Sequence, residues 1–340
     1  MSRSLQHLLP SSRKSWVALA LVSTAAAVAT WVQYRSRRAD RENPHEGQFI
    51  EADGVRLHYF ERGQGPAVVL IHGNNVWWRD FLACGLVDSL ARDHRVIVFD
   101  RPGYGHSERP RDRLWSPSAQ ASVIAKAMLG LGVADAAVVG HSMGSLVALA
   151  LALDHPDQVR SLALLSGYYF PNLRLDALMT APVALPVLGD AMRYTVTALS
   201  ARALLDGAVK QMFAPADVPA DFMLMLSREM LLRPVQLRAN AEDAAFMMPA
   251  AGTLSKRLNE LQMPVTIIAG ERDPVVDVEA HSARLHEALP GSRLVVVPGA
   301  GHMVHYVAQH QVVEAVTANA AVSPLRRNDA ESADMALISR

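Results

Sequence analysis

Short strand-like runs, several of them continuously apolar, alternate with helix-length stretches through most of this 340-residue chain. That rhythm restricts the fold more than any other feature. Strand-like runs fall at 48–52, 55–61, 67–71 (AVVLI), 95–99 (RVIVF), 135–139, 159–165 (VRSLALL), 264–269 (PVTIIA) and 293–297 (RLVVV). Runs of this length without polar alternation suit strands buried on both faces of a parallel sheet. Helical stretches lie between them near 79–92, 117–131, 143–154, 277–289 and 307–320. The alternation predicts an α/β fold, a mostly parallel sheet flanked by helices with right-handed crossovers. The rhythm stops between about 168 and 255, where seven prolines divide apolar helical runs that hold eight of the fourteen methionines. That segment is predicted as a helical insertion covering one edge of the sheet.

The formal net charge is zero, from 33 basic and 33 acidic residues. A nucleic-acid-binding domain carries a basic excess, so the balance excludes that partner class. The zero is a sum of unlike parts. Residues 1–42 carry seven basic side chains against two acidic ones, giving +5, and residues 43–340 carry −5. Inside this leader, Ser15–Tyr34 runs for twenty residues without a charge. As a helix it is about 30 Å long, the thickness of a bilayer core. Trp16, Trp31 and Tyr34 stand near its ends, where aromatic rings favour the interface. The segment reads as a single-pass membrane anchor. Two alternatives stay open from sequence: a signal peptide cleaved after Ala27-Val28-Ala29, with export of the body, and an apolar helix packed on the body. Basic residues on both flanks leave the orientation undecided. Residues 35–47, charged and containing Pro44 and Gly47, read as a linker, and the polar tail 324–340 as loose. Cys84 is the only cysteine, so no intrachain disulfide forms, and no Cys/His spacing suggests a metal site.

The chemistry concentrates after three strands. Gly140-His141-Ser142-Met143-Gly144 follows the run 135–139 and opens the helix at 143. G-x-S-x-G between a strand and a helix is the nucleophile-elbow pattern, a tight turn that exposes the serine Oγ. A serine nucleophile needs a base, and the base needs an orienting acid. Gly270-Glu271-Arg272-Asp273 follows one downstream strand and Gly299-Ala300-Gly301-His302 follows another, both at the carboxyl edge that carries Ser142. Asp273 is preferred over Glu271 and over Asp277, which suits a helix N-cap. His302 is preferred over His305 and His310, which fall in or just before the last helix. The order Ser142, Asp273, His302 matches that of α/β hydrolases.

On these motifs the body resembles the α/β-hydrolase superfamily over residues 48–320, as a capped serine hydrolase. The resemblance implies a hydrolase domain at 43–323 with a helical cap at about 168–255, inserted after the sixth strand. It implies an oxyanion hole from the backbone N–H groups of Asn74, in His72-Gly73-Asn74-Asn75, and of Met143. His72 reads as a brace for that loop, and Trp77 and Trp78 either line an acyl pocket or pack beneath the cap. Asp100-Arg101-Pro102-Gly103-Tyr104-Gly105-His106-Ser107 resembles a rigid loop of capped members. Relatives acting on haloalkanes or epoxides carry aspartate at the elbow, whereas position 142 is serine and Met143 stands where a halide-site tryptophan is typical. Tyr168, Tyr169 and Tyr194 therefore read as packing. The expected activity is hydrolysis of a carboxylic ester through an acyl-enzyme, with no cofactor. The Met-rich cap and the leader suggest a lipophilic small-molecule substrate. Carbon–carbon hydrolysis of diketone-type substrates and a non-catalytic ligand-binding fold are the alternatives.

Overall fold

The computed structural model describes residues 12–172 and 175–322. Eight strands form one sheet: β1 (Gln48–Ala52), β2 (Val55–Arg62), β3 (Ala67–Ile71), β4 (Arg95–Phe99), β5 (Ala136–His141), β6 (Val159–Leu165), β7 (Val265–Gly270) and β8 (Arg293–Val297). Their order across the sheet is β1-β2-β4-β3-β5-β6-β7-β8. β1 to β4 pair antiparallel through β2, and every pair from β4 to β8 is parallel.

Period-two alternation divides the apolar strand residues between two cores. Val69, Ile71, Ile97 and Val138 face the helices Pro117–Gly130 and Met143–Asp154. Val68, Leu70, Val96 and Val139 face the opposite layer, which includes Leu86, Val87 and the helix Gln309–Val322. Both faces of the central strands are covered, which is why their sequences lack polar alternation. Ser116 caps the helix at 117 by accepting from the Ala119 N–H at 3.2 Å, with Pro117 at its first position.

Two expected helices are less regular. The stretch 79–92 breaks into Arg79–Ala83 and Leu86–Leu90 because Gly85 turns left-handed at φ 76°. The stretch 277–289 begins as a π turn, Glu279–Ala283, before the α-helical turn Arg284–Ala288. Asp277 accepts from the Ala280 N–H at 2.7 Å, the capping role read from sequence.

Between β6 and β7 the insertion is helical among its described residues. Its principal helices are Val196–Phe213 and Pro234–Leu254. The second packs Met247, Ala251 and Leu254 into the core on one face of the sheet.

The leader departs from its sequence reading. One helix, Arg13–Glu42, runs through the apolar stretch and on through residues assigned to a linker. Its last turns dock on the insertion. Glu229 accepts from Arg35 at 2.5 Å and from Arg202 at 2.6 Å, Asp40 pairs with Arg233 at 2.7 Å, and Ala39 is fully buried. Burial opposes the Glu229 charge, but the hydrogen bonds from Arg202 and Arg35 outweigh it and hold the carboxyl at about 2. These partners lie almost 200 positions away, so residues 35–42 look like a charged linker in sequence and are a docked helix in space. The apolar part behaves differently: only 6 % of its most apolar window is buried. That rules against an apolar helix packed on the body. The expected tail 324–340 lies outside the described residues.

Candidate active site

β5 ends in a sharp turn that places Ser142 at φ 53°, ψ −119°, a conformation costly for a residue with a Cβ. Packing leaves no alternative. A Cβ on Gly144 would lie 2.0 Å from the Ile71 carbonyl oxygen, and one on Gly140 would lie 2.5 Å from that of Gly144. The Ser142 N–H donates to the Leu165 carbonyl at 2.8 Å, tying the turn to β6. Gly144→Ala is therefore expected to destabilise the fold by about 1–3 kcal/mol, the range for forcing atoms into a filled interior. Chemical denaturation measures this, and an unchanged midpoint would contradict it.

Three side chains separated by up to 160 positions meet above this turn. Ser142 Oγ lies 2.9 Å from His302 Nε2, and His302 Nδ1 lies 2.8 Å from Asp273 Oδ2. The other Asp273 oxygen accepts from the N–H groups of Val275 and Val276 at 2.8 and 2.9 Å, which fixes the carboxylate plane. The Asp273 and His302 loops are stitched together: the Arg272 N–H donates to the Ala300 carbonyl at 2.8 Å, and the Gly299 N–H donates to Glu271 at 2.9 Å. Glu271 thus braces a loop. His305 is fully buried and bonds Asp80 at 2.9 Å, and His310 is exposed. In such an arrangement a serine hydroxyl can lose its proton to an imidazole whose other nitrogen is held by a carboxylate.

The loop after β3 runs beside the elbow, since a Cβ on Gly73 would lie 3.1 Å from the Ser142 Cβ. Asn74 lies in this loop, and Met143 begins the helix, where backbone N–H groups lack intrahelical partners. Burial, reinforced by the Arg101 charge, pushes His72 down to about 4. Neutral His72 accepts from the Arg101 N–H at 3.0 Å through Nε2 and donates from Nδ1 to the Gly73 carbonyl at 2.8 Å. It is the brace expected from sequence. Trp77 and Trp78 are fully buried. Trp77 donates to the Leu226 carbonyl at 2.8 Å, and Trp78 stacks on Phe60 with centroids 4.4 Å apart. Both pack; the pocket reading is set aside.

Sequence reasoning missed two groups. Arg101 and Asp243 are fully buried. The Arg101 guanidinium donates to the His72 and Gly73 carbonyls at 2.8 and 3.0 Å, to Asn74 Oδ1 at 2.6 Å and to Asp243 at 2.5 Å. One side chain thus clamps the loop 72–74 and joins it to the insertion. Arg101 sat within a motif read only as a rigid loop, and Asp243 carried no local signal. The second group lies below the triad. His141 Nε2 is 3.1 Å from the His302 carbonyl oxygen, and its ring packs at a tilt against that of His305, with centroids 4.3 Å apart. Burial, with the neighbouring His305 and His302, pushes His141 well below its ordinary value, so it stays neutral and its Nε2–H donates. Asp80, His141 and His305 also bring ligand-type atoms within 4.8 Å of one another. Hydrogen bonding already engages Asp80 with His305 and with the Tyr306 hydroxyl.

The His141 tether joins the residue before Ser142 to the backbone of His302. His141→Ala is expected to lower kcat by about 10²-fold, the scale for a small misplacement of a reacting group, with KM nearly unchanged. His141→Gln, which retains an N–H donor, should recover part of it. Equal rates for the two variants would remove the positioning role.

Comparison with known proteins places this geometry in a family. A family model described as alpha/beta hydrolase fold matches residues 66–309. Haloalkane dehalogenase 2 of Mycobacterium tuberculosis is 25% identical over 80% of this chain and 94% of its own length. A 2-hydroxymuconate semialdehyde hydrolase of a Pseudomonas species is 33% identical over 39% of this chain and 48% of its own. Among solved structures, an esterase from Exiguobacterium antarcticum superposes with a TM-score of 0.66 at 22% identity, covering 80% of this chain and 98% of its own. The eight-stranded sheet, the elbow after β5 and the extent of the family match lead to one conclusion: this chain belongs to the alpha/beta hydrolase fold family.

Proposed function

We propose that this protein is a serine hydrolase that cleaves carboxylic esters with a lipophilic acyl group, anchored to a membrane by its N-terminal helix. The observation that carries the reading is the Ser142–His302–Asp273 relay, with heavy-atom distances of 2.9 and 2.8 Å. His302 Nε2 takes the hydroxyl proton as Ser142 Oγ bonds to the ester carbonyl carbon. Asp273 holds the imidazole tautomer and stabilises the imidazolium. The negative charge that develops on the carbonyl oxygen meets the N–H groups of Asn74 and Met143. Collapse expels the alcohol, protonated by His302, and leaves an acyl-Ser142. Water, deprotonated by His302, then releases the acid. Serine in place of aspartate at the elbow sets this chemistry apart from displacement at a haloalkane carbon, despite the likeness to a dehalogenase.

The anchor reading draws on a 30-residue helix whose apolar window has a mean hydropathy of 1.7 and stands clear of the body. Fractionation with protease protection tests both anchoring and orientation. The substrate reading is tested with p-nitrophenyl esters from acetyl to dodecanoyl. Activity rising with chain length is the expected result. A sharp preference for acetyl would overturn the lipophilic acyl group, and turnover of diketones in place of esters would overturn the reaction.

A further inference from the structure

The helix Val196–Phe213 is apolar on its buried side and, through its first half, on its outward side as well, before exposed Asp206 and Lys210 take over that side. Ala198, Leu205, Val209, Met212 and Phe213 are buried against the body. On the outward side, Val196, Leu199, Ala203 and Leu204 recur at spacings of three, four and one, which gathers them into one stripe. Val196, Leu199 and Leu204 are 66 %, 46 % and 69 % exposed. Val187 and Leu188, at the start of the preceding helix Leu188–Arg193, are also exposed.

The stripe stands beside the level at which the leader changes character. The Arg202 guanidinium, in the second turn of the same helix, sits 5.1 Å from the Trp31 ring. Arg202 also shares Glu229 with Arg35. Tyr194, just ahead of the helix, lines a groove with Ala29, Thr30, Gln33 and Tyr34. These contacts hold the leader against the insertion at Trp31–Arg35, where the apolar run ends and the charges begin. From Ala27 back to Trp16 every residue of the leader is exposed, over about 17 Å at 1.5 Å per residue.

We infer that the outward stripe of the helix Val196–Phe213 rests in the same bilayer leaflet that receives the leader, so that the insertion lies on the membrane. A bilayer that holds the apolar run has its interface at Trp31 and Tyr34, where aromatic rings favour the boundary. The docked geometry then presents Val196, Leu199 and Leu204 to lipid at that same depth. This is the placement of an interfacial amphipathic helix, with apolar side chains sunk to the acyl boundary. The proposal rests on the anchor reading above. It adds a second, independent surface and names its partner as a phospholipid bilayer.

The test uses the full chain in phosphatidylcholine–phosphatidylglycerol vesicles. Cys84 is buried, so an introduced cysteine is the accessible site for an environment-sensitive dye. Leu199→Cys and Leu204→Cys report on the stripe, Val22→Cys on the leader, and Leu129→Cys, on the helix Pro117–Gly130, on the body. The expected result is a blue shift and loss of emission to nitroxide-labelled lipids at 22, 199 and 204, with no change at 129. Quenching at 22 while 199 and 204 behave like 129 would overturn the inference and leave the anchor standing. A dye in water at 22 would remove the anchor and the inference with it. A blue shift at 199 and 204 that lipid nitroxides do not quench would assign the stripe to a second copy of the chain and also overturn the proposal.

Discussion

Ser142→Ala should lower ester turnover by roughly 10⁶-fold, the scale seen when the serine of a triad is removed. It should also abolish labelling by a fluorophosphonate probe. The size of the effect follows from how little else in the site is nucleophilic. Ser145, the nearest hydroxyl on the elbow helix, donates to the Gly140 carbonyl at 2.7 Å and is fully buried. It offers no replacement. The substitution leaves the fold intact, because alanine keeps the Cβ that φ 53° already accommodates and the backbone bond to Leu165 is unaffected. An unchanged melting temperature beside lost turnover separates chemistry from folding. Asp273→Asn should cost less, about 10⁴-fold, because it disturbs the imidazole tautomer and leaves the nucleophile present. Labelling that persists in Ser142→Ala would place the reactive group elsewhere. Failure of the wild-type chain to label would favour the ligand-binding reading.

Asp243→Ala should destabilise the protein by about 3–5 kcal/mol, the cost of leaving buried charge without its partner. Asp243 accepts from Arg101 at 2.5 Å, Arg109 at 2.9 Å, the Tyr104 hydroxyl at 2.9 Å and Gln120 at 3.0 Å. Burial works against its charge, but Arg109 and Arg101 outweigh this and hold the carboxyl below its ordinary value. Removing it leaves two buried guanidinium groups facing each other's charge. Denaturant titration measures the loss, and Glu314→Ala supplies the contrast. Glu314 pairs with Arg293 at 2.7 Å near the surface, where such pairs contribute about 0–1 kcal/mol. A second consequence is functional. Arg101, released from Asp243, no longer clamps the loop 72–74, so turnover should fall in molecules that remain folded. A loss under about 1 kcal/mol would show that the insertion is held by its apolar contacts and not by this ion cluster.

Both predictions concern the same edge of the sheet, and they differ in how visible their residues are before folding. Ser142 announces itself, because a glycine pair around a serine between a strand and a helix satisfies a local steric demand that Gly140 and Gly144 meet in place. The central strands are legible for a similar reason: burial on both faces demands uninterrupted apolar runs, and all eight predicted runs end within two residues of their strands. Asp273 and His302 are legible because they follow such runs at the carboxyl edge. Asp243 is not, since nothing in a mid-helix aspartate records that two arginines from the loop after β4 will enclose it. Residues 35–42 show the same limit. Their charges describe a solvated linker until Glu229 and Arg233 arrive from the far side of the chain.

The sequence by itself therefore determined what local rules control: the order of strands and helices, the elbow, the chain order of the three polar residues and the apolar leader. Only the tertiary structure decided which charges are buried together, which tryptophans pack and where the leader meets the insertion. The physical reason is that turns and strand burial are imposed by neighbours in the chain, whereas pairing a buried charge depends on groups that meet only when the chain is folded.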